Sequence, residues 1–257
     1  ATKELALAAH FTMAARDKET QKKAKINPLL LHTEKEKRIS AIADDLRRRK
    51  IQRAEHSLLK VPPSAEEREL MHKLYLESNE YTGKSQQHRF VSSKKPDNVV
   101  WADATKIESF IVTMPEDQNV HGKIFGGYLM RLALELSFAE AHLFSRQIPR
   151  LLAIDDIAFK MPVPIGSMLN LAAQVTYSSG LPGASFEVSV TADVISPSSR
   201  TRVTTNVFHL TFKMAEDQSA PRVIPRTYAD LMKYIEANRR YEQHKDTFTL
   251  PHEFIDD

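Results

Sequence analysis

Asn119 and His121 stand just ahead of a glycine pair, Gly126-Gly127, and that pair opens a long apolar stretch with helical spacing. A carboxamide and an imidazole in such a loop can hold a carbonyl, orient a water or hydrogen-bond a substrate. The first N–H groups of a helix lack internal partners and lie at the positive end of its dipole, and glycines admit a ligand close to them. An acyl carbonyl set there would have its developing oxyanion stabilised by those donors. Each residue also has a plainer reading. Paired glycines permit tight packing of helix on sheet, and from composition the two readings stand about even. An isolated Asn or His at such a place is more often a loop or capping group. His142 reads as structural, and Arg131 and Glu135, four residues apart, read as an ion pair.

The elements that must position these residues are legible from periodicity. Trp101 to Met114 reads as a strand, with Ile107, Ser109 and Ile111 alternating against Phe110 and Val112. Gly126 to Phe144 carries Leu129, Leu132, Ala133, Leu136, Ala139 and Leu143 at helical spacing, and Met130, Leu134 and Phe138 add a second apolar face. A helix apolar around most of its circumference must be buried on several sides. Four strand-like runs follow, Leu151 to Phe159, Ser167 to Tyr177, Phe186 to Ile195 and Thr201 to Met214, separated by turn-forming segments. A strand, a buried helix and four more strands describe an α+β hotdog fold, an antiparallel sheet curled around its own helix. Thr227 to Tyr241 reads as a surface helix.

The first part of the chain differs. Leu5, Leu7, Ala9, Phe11 and Met13 alternate as in a half-buried strand, and the chain opens on Ala1, which points to a processed or truncated start. From Asp17 to about Arg89 the sequence is rich in Lys, Glu, Arg and Gln, with helical character at Glu34 to Arg53 and Ala65 to Leu76. Ser64 and Glu67 form a capping box ahead of the second. Leu46-Arg47-Arg48-Arg49-Lys50 reads first as a solvated helix face and second as a phosphate contact. His10-Phe11-Thr12-Met13 echoes His209-Leu210-Thr211-Phe212, either by coincidence or because residues 1–17 end an earlier hotdog repeat.

Composition narrows the chemistry. The 257 residues contain no cysteine, which excludes disulfides, thiolate metal sites and cysteine nucleophiles. No metal site is read from the other residues. A formal net charge of +3 and a pI near 8.9 suit an anionic ligand such as coenzyme A, an RNA surface, or no particular partner. No apolar run approaches the roughly 18 residues of a membrane-spanning helix.

Asn119-Val120-His121-Gly122-Lys123-Ile124-Phe125-Gly126-Gly127-Tyr128-Leu129-Met130-Arg131 closely resembles the signature of hotdog acyl-coenzyme A thioesterases. Ile154 to Val163 and Thr204 to Phe212 resemble the double-hotdog mitochondrial branch, the acyl-coenzyme A thioesterase 9-like proteins. Phe11 to Asp17 and Ile26-Asn27-Pro28-Leu29 resemble the end of that family's first hotdog, and Pro63 to Arg68 its connector. The resemblance implies residues 1–17 as the last strand of an incomplete first repeat, 18–98 as connector, 99–220 as the thioesterase hotdog and 221–257 as a helical tail. It implies Asn119, His121 and Gly127 as catalytic, with Phe125, Gly126 and Lys160 binding substrate and Lys160 near the coenzyme A phosphates. No cofactor is implied, since coenzyme A is part of the substrate.

The same resemblance implies a second hotdog unit pairing side by side with this one, a mitochondrial matrix location and an oligomer. The family's central-helix carboxylate falls at Leu134, and Glu135 is turned from that position by about 100°. The acid is then expected from the first hotdog. Two functions follow: an acyl-CoA thioesterase completed by a second unit, or an inactive thioesterase-like subunit of a larger mitochondrial assembly, contacting RNA or protein through the basic arm. A coenzyme A sensor is a weaker third.

Overall fold

The computed structural model describes residues 15, 17, 19, 20, 22–82, 94–155, 157, 159, 161–180, 184–215 and 218–244. The strand expected at residues 5–13, and with it the echo of 209–212, lies outside them. So does Lys160. The chain forms two compact units, Ala1–His56 with Thr249–Asp257, and Ser57–Phe248.

In the first unit, α1 (Glu34–Glu55) begins at a reciprocal cap. The Glu36 N–H donates to Thr33 Oγ1 (3.2 Å), and the Thr33 N–H donates to Glu36 Oε2 (2.9 Å). No residue of α1 is buried. Its basic run is partly matched within the helix, because Asp45 lies 2.7 Å from Arg49 and 3.9 Å from Arg48. Such exposed pairs contribute little stability and leave the solvated-face reading in place.

In the second unit a five-stranded antiparallel sheet runs in the order β2-β4-β5-β6-β3. The strands are β2 (Ile107–Val112), β3 (Arg150–Ile154), β4 (Met168–Ser178), β5 (Ser185–Ser196) and β6 (Thr201–Lys213). The helix α3 (Gly126–Ser145) joins β2 at one edge to β3 at the other, so it must cross the sheet. Leu129, Ala133, Ala141 and Phe144 of α3 are buried in one core with Leu171, Val175, Phe186, Val190, Phe208 and Phe212 of the sheet. Phe144 and Phe186 meet at 5.0 Å between ring centres. This is the hotdog arrangement that the period-2 and period-3.6 patterns anticipate.

Three expectations change. The strand expected from Trp101 to Met114 is two strands, β1 (Val99–Trp101) and β2, divided by a 3-10 turn at Ala102–Thr105. The Thr105 hydroxyl closes that turn onto Ala102 O (2.7 Å) and accepts the Val175 N–H (3.0 Å). The strand expected to reach Phe159 ends at Ile154. The C-terminal helix α4 (Tyr228–His244) is docked rather than a surface element, with Leu231, Tyr234, Ile235 and Ala237 buried. A short strand β7 (Arg222–Ile224), paired in parallel with β1, leads into it. The helix α2 (Ala65–Thr82) is tied to the same unit, Glu67 pairing with Arg239 and Glu77 with Arg222, both at 2.5 Å.

The sheet face turned away from α3 is unusually polar. Under α4 the carboxylate of Glu187 is 4% exposed, 2.7 Å from Arg240, and accepts the Thr176 hydroxyl at 2.8 Å. Burial opposes its charge, but Arg240 and the neighbouring His209 outweigh that and hold the carboxyl below the ordinary range. On α3, by contrast, Glu140 is 2% exposed, and burial pushes its carboxyl up to about 8.

Glu140 therefore binds a proton in the folded chain at pH values where the unfolded chain has released it. Its contribution is complete below about 4.5 and is lost as pH rises to about 8. Unfolding free energies from urea titrations at pH 5 to 9 should fall across this window by up to about 1.4 kcal/mol per pH unit, and Glu140→Gln should flatten that slope. At Glu187 the opposite substitution test applies: Arg240→Met leaves a buried carboxylate unmatched and should cost about 3–5 kcal/mol in the same measurement at pH 7.

Candidate active site

The loop from Asp117 to Phe125 is held from both ends. The Phe125 N–H donates to Asp117 O (2.8 Å), and the Ile124 N–H donates to Val163 O (3.0 Å). Thr113, fully buried at the end of β2, braces the 162–167 turn by donating to Pro164 O (2.9 Å) and accepting the Ser167 N–H (2.9 Å). Within the loop, Asn119 Oδ1 accepts the N–H groups of His121 (2.9 Å) and Lys123 (3.2 Å). This turn uses the oxygen end of the carboxamide, which leaves its amide nitrogen as a donor. Asn119 is half-buried, and the His121 ring is exposed.

The helix α3 starts with Phe125 as N-cap and no side-chain cap. The Tyr128 and Leu129 N–H groups return to Phe125 O at 3.0 and 3.3 Å. Among the described residues, no acceptor meets the N–H groups of Gly126 and Gly127. Uncapped donors at a helix start are what an oxyanion requires. The glycines also admit aromatic rings. A Cβ on Gly126 would fall 2.8 Å from Phe159 Cζ, and one on Gly127 would fall 2.4 Å from Phe125 Cε1. Close packing at the pair is thus present, and its two N–H groups have no acceptor among the described residues. The two rings are 51% and 58% exposed, so they cover the helix start without being locked into the core.

Further along α3, Leu134 is half-buried, and Glu135 is exposed and 3.5 Å from Arg131. That ion pair matches its expected i,i+4 spacing. His142 Nδ1 lies 2.6 Å from Gln147 O and closes the end of the helix, a structural role. The acid on α3 that periodicity reasoning overlooked is Glu140. Its position three residues after Ser137 and four before Phe144 puts it on the buried stripe, and that spacing was the available signal. Phe138 and Leu143 are 41% and 64% exposed but about 140° apart around the helix, so the outer side of α3 keeps two separate apolar positions.

No family model matches the chain. It is 36% identical to acyl-coenzyme A thioesterase 10, mitochondrial, of Mus musculus, over 96% of this chain and 54% of that protein. It is 35% identical to acyl-coenzyme A thioesterase 9, mitochondrial, of Homo sapiens, over 97% of this chain and 55% of that protein. The chain thus spans about half the length of the curated relatives it matches. Its fold is shared with an acyl-CoA hydrolase from Staphylococcus aureus solved with butyryl coenzyme A and coenzyme A, at a TM-score of 0.56 and 23% identity over 61% of this chain and 96% of that one.

Alanine in place of a helical glycine ordinarily stabilises by about 0.5–1 kcal/mol. At Gly127 the Phe125 ring opposes that gain. Gly127→Ala should therefore be neutral or destabilising alone, and stabilising in a Phe125→Ala background. A thermal-denaturation double-mutant cycle should show coupling above roughly 0.5 kcal/mol.

Proposed function

We propose that the chain belongs to the hotdog acyl-coenzyme A thioesterases and that it supplies one half of a composite site hydrolysing acyl-CoA to a free acid and coenzyme A. The observation that carries the reading is the pair of N–H donors at Gly126 and Gly127, without acceptors among the described residues, with Asn119 in the loop that leads into them. The thioester carbonyl oxygen lies against those donors, and Asn119 holds the carbonyl or the attacking water. Water adds to the carbonyl carbon, the oxyanion is stabilised by the helix start, and its collapse breaks the carbon–sulfur bond. The coenzyme A thiolate leaves, and a proton from water is taken up by a carboxylate lent from a facing hotdog unit.

That unit is needed because Leu134 stands where the resemblance places the acid, and Glu135 is engaged with Arg131. The exposed Phe138 and Leu143 of α3 and the rings of Phe125 and Phe159 give it apolar groups to cover. His121, exposed in the same loop, hydrogen-bonds the substrate. Phe125 and Phe159, both exposed at the helix start, bound the path of the acyl group, and Lys160, outside the described residues, is the cation proposed for the coenzyme A phosphates. The active species is an oligomer or a longer double-hotdog chain in the mitochondrial matrix, as the names of the relatives suggest.

A second reading, an inactive thioesterase-like subunit, is favoured by the rings lying over the glycines. One assay separates the two. Coenzyme A release by the assembled protein, followed with a thiol reagent, should fall about 100-fold or more in kcat/KM for Asn119→Ala. Release that is absent from the assembled wild type, or unchanged in the variant, removes the catalytic reading.

A further inference from the structure

The helix α4 does not seal the polar face of the sheet. Between them lies a cavity of about 370 Å³, roofed by Met232 and Glu236 of α4 and by Leu58, and floored by Ala172, Thr191 and Val207. It lies on the sheet face opposite α3 and its glycines, and its size falls within the range of about 300–1,000 Å³ usual for small-molecule sites. Short side chains on β4 and β5 create it, because Ala172 and Thr191 face each other in the strand register.

The charges around this cavity are unequal in availability. Arg240 is committed to Glu187, and Lys106 pairs with Glu108. Glu236 accepts the Leu58 N–H at 2.7 Å, which fixes the 57–59 segment over the opening. Lys233 is different. Its Nζ donates to the neutral Gln174 Oε1 at 2.7 Å. Gln174 is 7% exposed, and its amide nitrogen is anchored on Ala102 O (3.1 Å) and Asp230 Oδ1 (3.0 Å), so its oxygen cannot turn away. Among the described residues no carboxylate pairs with Lys233, and an ammonium has three donors. The wall therefore presents a cation without a matching anion at the rim of a chamber that has an aliphatic side, formed by Leu58, Ala172, Val207 and Met232, on an otherwise polar face.

We propose that this cavity is a second ligand site, separate from the thioester site, and that it takes a straight-chain aliphatic monocarboxylate. The carboxylate accepts from Lys233, and the chain lies along Val207, Ala172 and Met232. Such a molecule is of the class that the proposed hydrolysis would release, but the site's existence does not depend on that hydrolysis.

Calorimetric titration of the full chain with octanoate and hexanoate tests this without any turnover. Each buried methylene should tighten binding roughly fourfold, so octanoate should bind about 16-fold more tightly than hexanoate. Lys233→Gln changes an exposed helix position, leaves the fold intact, and should weaken octanoate binding about tenfold. Asn119→Ala should leave the affinity unchanged, and octylamine should not compete. Ala172→Met, which fills the chamber, should abolish binding. The proposal is overturned if octanoate does not bind, if Lys233→Gln binds it as well as the wild type does, or if affinity is lost in Asn119→Ala instead.

Discussion

Most of this structure follows from the need to cover α3. Its apolar residues extend around most of its circumference, so one sheet face cannot satisfy it alone. The sheet takes the stripe from Leu129 to Phe144, and the aromatic layer of Phe186, Phe208 and Phe212 fills the space beneath it. Leu143 remains outside that contact, and Phe138 joins it only at the margin, its ring 6.5 Å from that of Phe212. The helix start is governed by the same crowding, because only residues without a Cβ let the rings of Phe125 and Phe159 approach so closely. The donors proposed to act on a carbonyl are thus a by-product of how tightly the helix entry is packed.

The opposite face of the sheet obeys a different rule. A carboxylate as buried as Glu187 must be matched by a charge and by hydrogen bonds. Arg240 and Thr176 meet that demand, and in doing so they fix where α4 lies. The tyrosines 177, 234 and 241 then pack on one another alongside, with Tyr177 5.2 Å from Tyr234 and 5.1 Å from Tyr241. The chamber beside Lys233 is what remains where the helix is held off by these contacts and the strands below carry small side chains.

Sequence periodicity exposed the central helix and the three long strands almost to their ends, because each buries a continuous face. It failed where a single contact decides the matter. Nothing in the alternation around Ala102 announces that Thr105 will turn inward to serve both Ala102 and Val175. The docking of α4 was hidden for a related reason. Lys233, Glu236, Arg239 and Arg240 make that segment look solvated, whereas Arg239 and Arg240 spend their charges on Glu67 and Glu187, distant in sequence. The loop chemistry was legible as residue types, since Asn119 and the glycines stand out by spacing. Their orientation, with Oδ1 of Asn119 turned into its own loop, was not. The pairing of distant charges has no local signature in a single chain.

The helix that joins the two sheet edges also sets a length. Twenty residues extend about 30 Å, whereas the outer strands of a flat five-stranded sheet would stand about 19 Å apart. A helix that is too long for the direct route has to run obliquely, and the sheet has to curl to follow it. The helix therefore works as a rigid ruler. Loops elsewhere can grow or shrink at small cost, but adding or removing residues inside α3 would rotate its apolar stripe and shift the edge strand that follows it, so insertions here should be far rarer than in the turns.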